Sequence, residues 1–137
     1  MAGVGDELVA GHSPTALESL TLIVSDLEVA TRFYRDVLGL RVISEFPGDY
    51  AALQVADGTT LGLHVPHEGH SHHVESAGIE IGFTVDDLNA WYSRLIGEGV
   101  QFLRAPTDMP WGTREAQLTD PDGHVVTLKA PADVPAS

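Results

Sequence analysis

The chain contains a partial copy of itself. Leu20–Val42, LTLIVSDLEVATRFYRDVLGLRV, is matched by Ile81–Phe102, IGFTVDDLNAWYSRLIGEGVQF, and Val24-Ser25-Asp26-Leu27 falls on Val85-Asp86-Asp87-Leu88, 61 residues later. A repeat of that length is too long for a solenoid unit and suits a strand, a helix and further strands. Two copies fill a chain of 137 residues, which is the size of one domain. The fold must therefore be built from two like halves, and each position in one half has a partner in the other.

Within the first copy Leu20, Leu22 and Val24 alternate with Ser19, Thr21 and Ile23, the period-2 pattern of a strand with one buried face. Ser25 is a candidate N-cap, with Glu28 three residues on completing a capping box. Ala30, Phe33, Tyr34, Val37 and Leu38 then recur at helical spacing, and Gly39 supplies the stop. Strands are predicted over 41–46, 50–55 and 59–65, separated by Pro47-Gly48-Asp49 and Asp57-Gly58. The second copy repeats the scheme. Ile81, Phe83 and Val85 form the buried face of a strand. Asp86 or Asp87 caps a helix with a Leu88, Trp91, Leu95 and Ile96 stripe, and Gly97 and Gly99 end it. Strands follow near 100–104, 114–119 and 124–129, the last after an Asp120-Pro121-Asp122-Gly123 turn. Residues 1–16 are expected to be a flexible arm, 17–130 a single domain (17–65 first module, 66–78 histidine-rich linker, 79–130 second module) and 131–137 a tail.

Twenty acidic residues against seven basic ones give a formal charge of −13. Such a surface repels nucleic acid and anionic membranes, and neither is expected as a partner. Its plain meaning is a solvated acidic exterior; its sharper meaning is attraction for a cationic ligand, for which a carboxylate must line the pocket. No apolar run approaches the roughly 20 residues of a membrane helix. No Lys or Arg precedes Arg32, unlike the basic start of a signal peptide. The absence of cysteine rules out disulfides, thiolate metal sites and cysteine nucleophiles. A soluble cytoplasmic protein is the expectation.

The order βαβββ twice over, with VSDLEVATRFYRDVLGLRV and TDPDGHVVTL, resembles the vicinal oxygen chelate superfamily, which includes glyoxalase I, extradiol dioxygenases and fosfomycin- and bleomycin-resistance proteins. The stretch MPWGTREAQLTDPDGH, Met109 to His124, looks most like the bleomycin-resistance branch. The resemblance implies an α+β fold in which two βαβββ modules form a curved, eight-stranded mixed sheet around a concave cleft, commonly in a homodimer. It also implies a place for a divalent metal, with one ligand on the first strand and one on the last strand of each module. Those positions are Ser19, Gly62, Glu80 and Thr127 here. The family's metalloenzymes usually place His or Glu at all four, and a catalytic metal normally needs three protein ligands with a position left open. Only Glu80 qualifies, so neither metal nor other cofactor is expected. His64, two residues past Gly62 and on the same strand face, could bring a displaced site to two ligands at most; its simpler role is to line the cleft.

The remaining candidates have bland explanations close at hand. His67, His70, His72 and His73 could bind zinc, copper or nickel, or merely form a polar loop with adventitious affinity. Asp86-Asp87 stands at a helix start, where capping explains it. The serines lack a nucleophile-elbow setting, and no glycine-rich phosphate loop follows a strand. Trp111 lies in a Pro110-Trp111-Gly112 loop; it could stack on a flat or cationic ligand or plug a sheet end or dimer interface. The expected ligand-binding set is Ser19, Thr21, Gly62, His64, Glu80, Thr84, Trp111 and Thr127, with no catalytic residue unless Glu80 acts as one. The leading expectation is metal-independent binding of a small organic ligand, cationic or aromatic, such as an antibiotic or toxic metabolite. The alternatives are a lyase or isomerase using Glu80 as base or displaced ligand, and a non-catalytic regulatory or scaffold subunit.

Overall fold

The computed structural model describes residues 17, 19–66 and 78–132. The N-terminal arm of residues 1–16, the His67–His73 loop and residues 133–137 of the tail lie outside the described residues. The first half runs β1 (Ser19–Ile23), α1 (Leu27–Arg32) with a π-helical turn (Phe33–Val37), β2 (Arg41–Phe46), β3 (Tyr50–Gln54) and β4 (Thr60–His64). The second runs β5 (Glu80–Thr84), α2 (Leu88–Gly97), β6 (Phe102–Asp108), β7 (Thr113–Thr119) and β8 (Val125–Pro131).

The eight strands make two four-stranded mixed sheets of identical topology, β1-β4-β3-β2 and β5-β8-β7-β6, as expected for an α+β fold of duplicated βαβββ units. In each, the first strand pairs in parallel with the last, Ser19 opposite Thr60 and Glu80 opposite Val125, and the remaining pairs are antiparallel.

Strand alternation sends Leu22, Val24, Leu61 and Leu63 of the first half, and Ile81, Val85, Val126 and Leu128 of the second, into one apolar cluster with Tyr34, Leu88 and Leu95. Each large side chain so buried contributes roughly 1.5–3 kcal/mol. The residues between them face away from the helices and form what we call the open face of each sheet.

Several local expectations are corrected. Asp26, not Ser25, caps α1, its carboxylate accepting from Val29 N at 3.1 Å; in the second half Asp87 does the same for Ala90 N. Ser25 is drawn elsewhere: its hydroxyl donates to Asp122 Oδ1 at 2.6 Å. Ile96 is exposed, leaving Leu88 and Leu95 as the buried residues of α2, and Leu20, expected inside, is 41% exposed at the edge strand β1. β6 continues through Pro106 to Asp108, beyond the expected end near residue 104. It pairs on one side only, so the missing N–H of proline costs no ladder bond there.

The two halves are joined at the Asp120–Gly123 turn. Tyr34 in the π-helical turn donates its hydroxyl to Asp120 Oδ2 at 2.7 Å, and His124 Nδ1 lies 2.8 Å from the same oxygen. Asp120 Oδ1 accepts from the backbone N–H groups of Asp122 and His124 at 2.9 and 2.8 Å. All three side chains are buried. Burial, reinforced by Asp120, pushes the Tyr34 phenol far above its ordinary pKa, so it remains a donor. A buried carboxylate is tolerated because its lone pairs are engaged in this way.

Candidate functional site

The expected binding residues fall on two separate open faces. On the first sheet, Thr21 lies beside Gly62, and Ile23 and Tyr50 flank His64 in the cross-strand register. The approach at Gly62 is close: a Cβ there would meet Thr21 Oγ1 at 2.8 Å. Thr21 thus occupies the space that a ligating side chain at residue 62 would need. Ser19 begins the edge strand and is exposed. His64 Nε2 is 3.9 Å from Asp49 Oδ1, and the His64 ring meets that of Tyr50 edge-on with centroids 6.5 Å apart. This face is built from small or uncharged groups with one imidazole at its end.

The second open face is charged and internally bonded. Thr127 is buried, and its hydroxyl donates to Glu80 Oε2 while accepting from Gln117 Nε2 at 3.2 Å. Glu80 itself is exposed. Thr84 pairs with Lys129, and Lys129 with Glu115. Trp111 lies between β6 and β7 with 68% of its surface exposed, and its indole N–H donates to Glu115 Oε2 at 3.0 Å. Thr113 Oγ1 donates to the same oxygen at 2.6 Å. Those two bonds, first Thr113 and then Trp111, hold the Glu115 carboxyl below the usual glutamate range, and Lys129 and Arg104 add to the effect.

The structure therefore brings Glu80 and Thr127 together, and Thr21 with Gly62. Among the described residues, no hydrogen bond, ion pair or ring contact joins the first-sheet group (Ser19, Thr21, Gly62, His64) to the second-sheet group (Glu80, Thr84, Thr127) or to Trp111. Sequence reasoning missed Glu115, Gln117 and Arg104. Glu115 is only 4% exposed, which for a carboxylate demands partners. Its parity with Lys129 could have revealed it, since both lie an even number of residues from Thr127 once the turn between the strands is allowed for.

The four positions implied for a metal do not fit one. Gly62 has no donor and Ser19 and Thr127 offer neutral hydroxyls, the latter already committed to Glu80 and Gln117. Soft or borderline metals select imidazole, carboxylate or thiolate in sets of three or more, and among the described residues no group of three such side chains comes together. A cleft of about 560 Å³ between the halves is lined by Leu20, Leu40, Phe83, Trp91 and Leu128, and of the expected binding residues only Thr84 borders it. No described helix is long and apolar enough to cross a membrane.

Comparison with known proteins agrees with this architecture. Over 115 residues the chain is 25% identical to the metallothiol transferase FosB of Staphylococcus saprophyticus, covering 82% of this chain and 75% of that one. It is 30% identical over 114 residues to the YetH protein of Bacillus subtilis, covering 81% of this chain and 94% of its relative. The crystal structure of a lactoylglutathione lyase from Agrobacterium tumefaciens superposes with a TM-score of 0.72 at 24% identity, over 86% of this chain and 95% of that one, a likeness of fold. Residues 16–128 match the model of the glyoxalase/bleomycin resistance protein/dioxygenase superfamily. With both helices and the start of all eight strands inside that span, the chain belongs to this superfamily.

Proposed function

We infer that the protein binds a small organic molecule without the help of a metal, in the manner of a sequestering protein for an antibiotic or toxic metabolite. Supporting this reading above all is the donor set at the four implied metal positions: one carboxylate, Glu80, already engaged by the Thr127 hydroxyl. The ligand lies on the open faces, with Ser19, Thr21, Gly62 and His64 offering small and polar surface. Thr84, Thr127 and Glu80 face it from the second sheet, and Trp111 stacks on it. The indole suits that task because its N–H is fixed to Glu115 while its ring stays exposed. A flat or cationic group over such a ring gains ~0.5–2 kcal/mol. The domain of residues 17–130 acts in the cytoplasm and as a homodimer, the partner completing the cleft that one open face leaves incomplete.

Metal analysis of untagged protein tests the first half of this reading: a stoichiometric, tightly held divalent ion would sink it. Thermal-shift screening of a compound library tests the second. A ligand at 100 times its Kd adds ~2.7 kcal/mol of stability, and Trp111→Ala and Glu80→Gln should each weaken the compound that does so. Unchanged affinity in both variants removes the site assignment.

A second reading draws support from the similarity to FosB, whose name is that of a metallothiol transferase. In it the protein is an enzyme of the lyase, isomerase or transferase kind with Glu80 as general base. Turnover that disappears in Glu80→Gln while ligand affinity persists separates it from sequestration.

A further inference from the structure

The cleft between the halves is apolar, open and largely separate from the open faces. Its volume of about 560 Å³ falls in the range of sites that take small organic molecules. The helix-facing sides of two edge strands meet across it. β1 and β5 each pair on one side only, and their residues Leu20 and Phe83 both border the space. Leu22, two residues along β1, is 1% exposed, yet Leu20 is 41% exposed. Gly39, on the same wall, has open space where a Cβ would stand. The halves are locked together at the Asp120 turn and do not close over this gap.

Walls and mouth differ in chemistry. Phe83 and Trp91 supply aromatic surface, each half-buried. Trp91 is braced, since the Arg94 guanidinium lies over its ring, 4.6 Å from the centroid. Asp57 is the one acid among the described residues that line the cleft, and no lysine, arginine or histidine stands with it. It sits on the exposed turn between β3 and β4. Gly58 N closes that turn on Val55 O at 3.0 Å, and Gln54 Nε2 braces it by donating to Gly58 O at 3.0 Å. Asp57 Oδ1 accepts from Thr59 N at 2.9 Å. That bond holds the carboxyl below the ordinary aspartate range, so it is ionised at neutral pH. A carboxylate has about four acceptor positions, and one backbone donor leaves it able to take another.

We propose that this cleft is a second small-molecule site, for a hydrophobic amine whose apolar body lies among Leu20, Phe83 and Trp91 and whose ammonium meets Asp57 at the mouth. Removing the body from water supplies the affinity, because the walls it covers are apolar. Charge supplies the selectivity. An anion would enter beside a carboxylate with no cation on the lining to balance it, and a neutral molecule forgoes the ion pair. The formal charge of −13 acts in the same sense, since an acidic surface raises the local concentration of cations. The site lies on the Phe83 side of β5, whereas Glu80 belongs to the open side, so it stands independently of the reading of the open faces.

Titration of the full-length, ¹⁵N-labelled chain with 2-naphthylmethylamine and with its neutral counterpart, 2-naphthylmethanol, tests the site by chemical-shift mapping. Shifts should concentrate on residues 38–40, 55–61, 81–85 and 91. The amine should bind about two- to fivefold more tightly than the alcohol, the scale of a solvent-facing ion pair. Asp57→Asn keeps an acceptor for Thr59 N and should make the two affinities equal. Leu20→Trp fills the cleft from an edge strand and should abolish binding of both at an unchanged melting temperature. Asp57→Asn alters only an exposed turn and decides the matter where the tryptophan variant does not fold. Trp111→Ala, on the second open face, should bind both compounds as the native chain does. Equal affinity of the native chain for amine and alcohol overturns the proposal, as does a preference that survives Asp57→Asn. Shifts confined to the open faces, or affinity lost in Trp111→Ala, overturn it too. Cleft shifts that follow protein concentration without any probe would show a second copy covering the cleft, and would overturn it likewise.

Discussion

The two open faces have the same strands in the same order and almost nothing else in common. The first offers Ser19, Thr21, Gly62 and Ala52, close-packed and uncharged, with His64 at its end. At the matching places the second offers Glu80, Gly82, Thr127 and Gln117, flanked by Glu115, Lys129 and Arg104. The helix-facing sides are alike: at the 61-residue offset Leu22 answers Phe83 and Val24 answers Val85, and Asp26 and Asp87 cap equivalent helices. Duplication has therefore preserved what folds the chain and released what faces outward. One half presents small, close-packed side chains; the other presents charge. Neither kept a set of metal donors.

The comparison is broken most forcefully at Glu115. Glu115→Ala removes the acceptor of two hydrogen bonds and a carboxylate on which Lys129 and Arg104 act electrostatically, and should cost about 2–3 kcal/mol, since bonds to charged groups sit at the upper end of the range. Urea unfolding measures this. The same residue predicts a pH effect. Its carboxyl titrates lower in the folded chain than in the unfolded one, so its contribution is complete above the ordinary value of 4.5 and is lost as pH falls through the lower folded value. Glu115→Gln should flatten that acid limb.

A smaller effect separates the two glycines. Gly62→Ala sets a methyl 2.8 Å from Thr21 Oγ1, so Thr21 or the strand must shift to admit it, and about 1–2 kcal/mol of overpacking is expected. Gly82→Ala meets only the flexible end of Lys129 and should leave the melting temperature nearly unchanged while redirecting the ammonium. Equal destabilisation by the two would show the faces to be alike after all. Between these two glycine variants falls Thr127→Val, which keeps the shape and deletes the hydroxyl between Glu80 and Gln117, for about 1 kcal/mol.

Most of the scaffold was legible because its pattern is local and duplicated: the 61-residue offset located β1 and β5, α1 and α2, together. The capping residue of α1 was misjudged because Ser25 and Asp26 are both good N-caps, and the choice was made by a distant group, Asp122, that claims the serine. On the second open face Glu80 and Thr127 were legible, since the parallel β5–β8 ladder runs without a break. Gln117, opposite Thr127 on the unbroken β7–β8 ladder, was open to the same parity argument as Glu115; Arg104 was not. β6 and β7 slip register on both sides of Arg104, and counting by twos cannot be carried through a bulge, where each extra residue exchanges the faces.

The buried carboxylate at the joint sets the grain of the whole molecule. Asp120 belongs to the second half but takes one of its four hydrogen bonds from Tyr34 of the first, and Ser25 of the first half closes over the same turn. Parted, one half would hold an acid short of a donor and the other a phenol short of an acceptor. The chain that repeats itself in sequence should thus be indivisible in unfolding: the halves are expected to melt as a single cooperative unit, with one coincident transition by different probes, and a lone half is not a miniature of the whole.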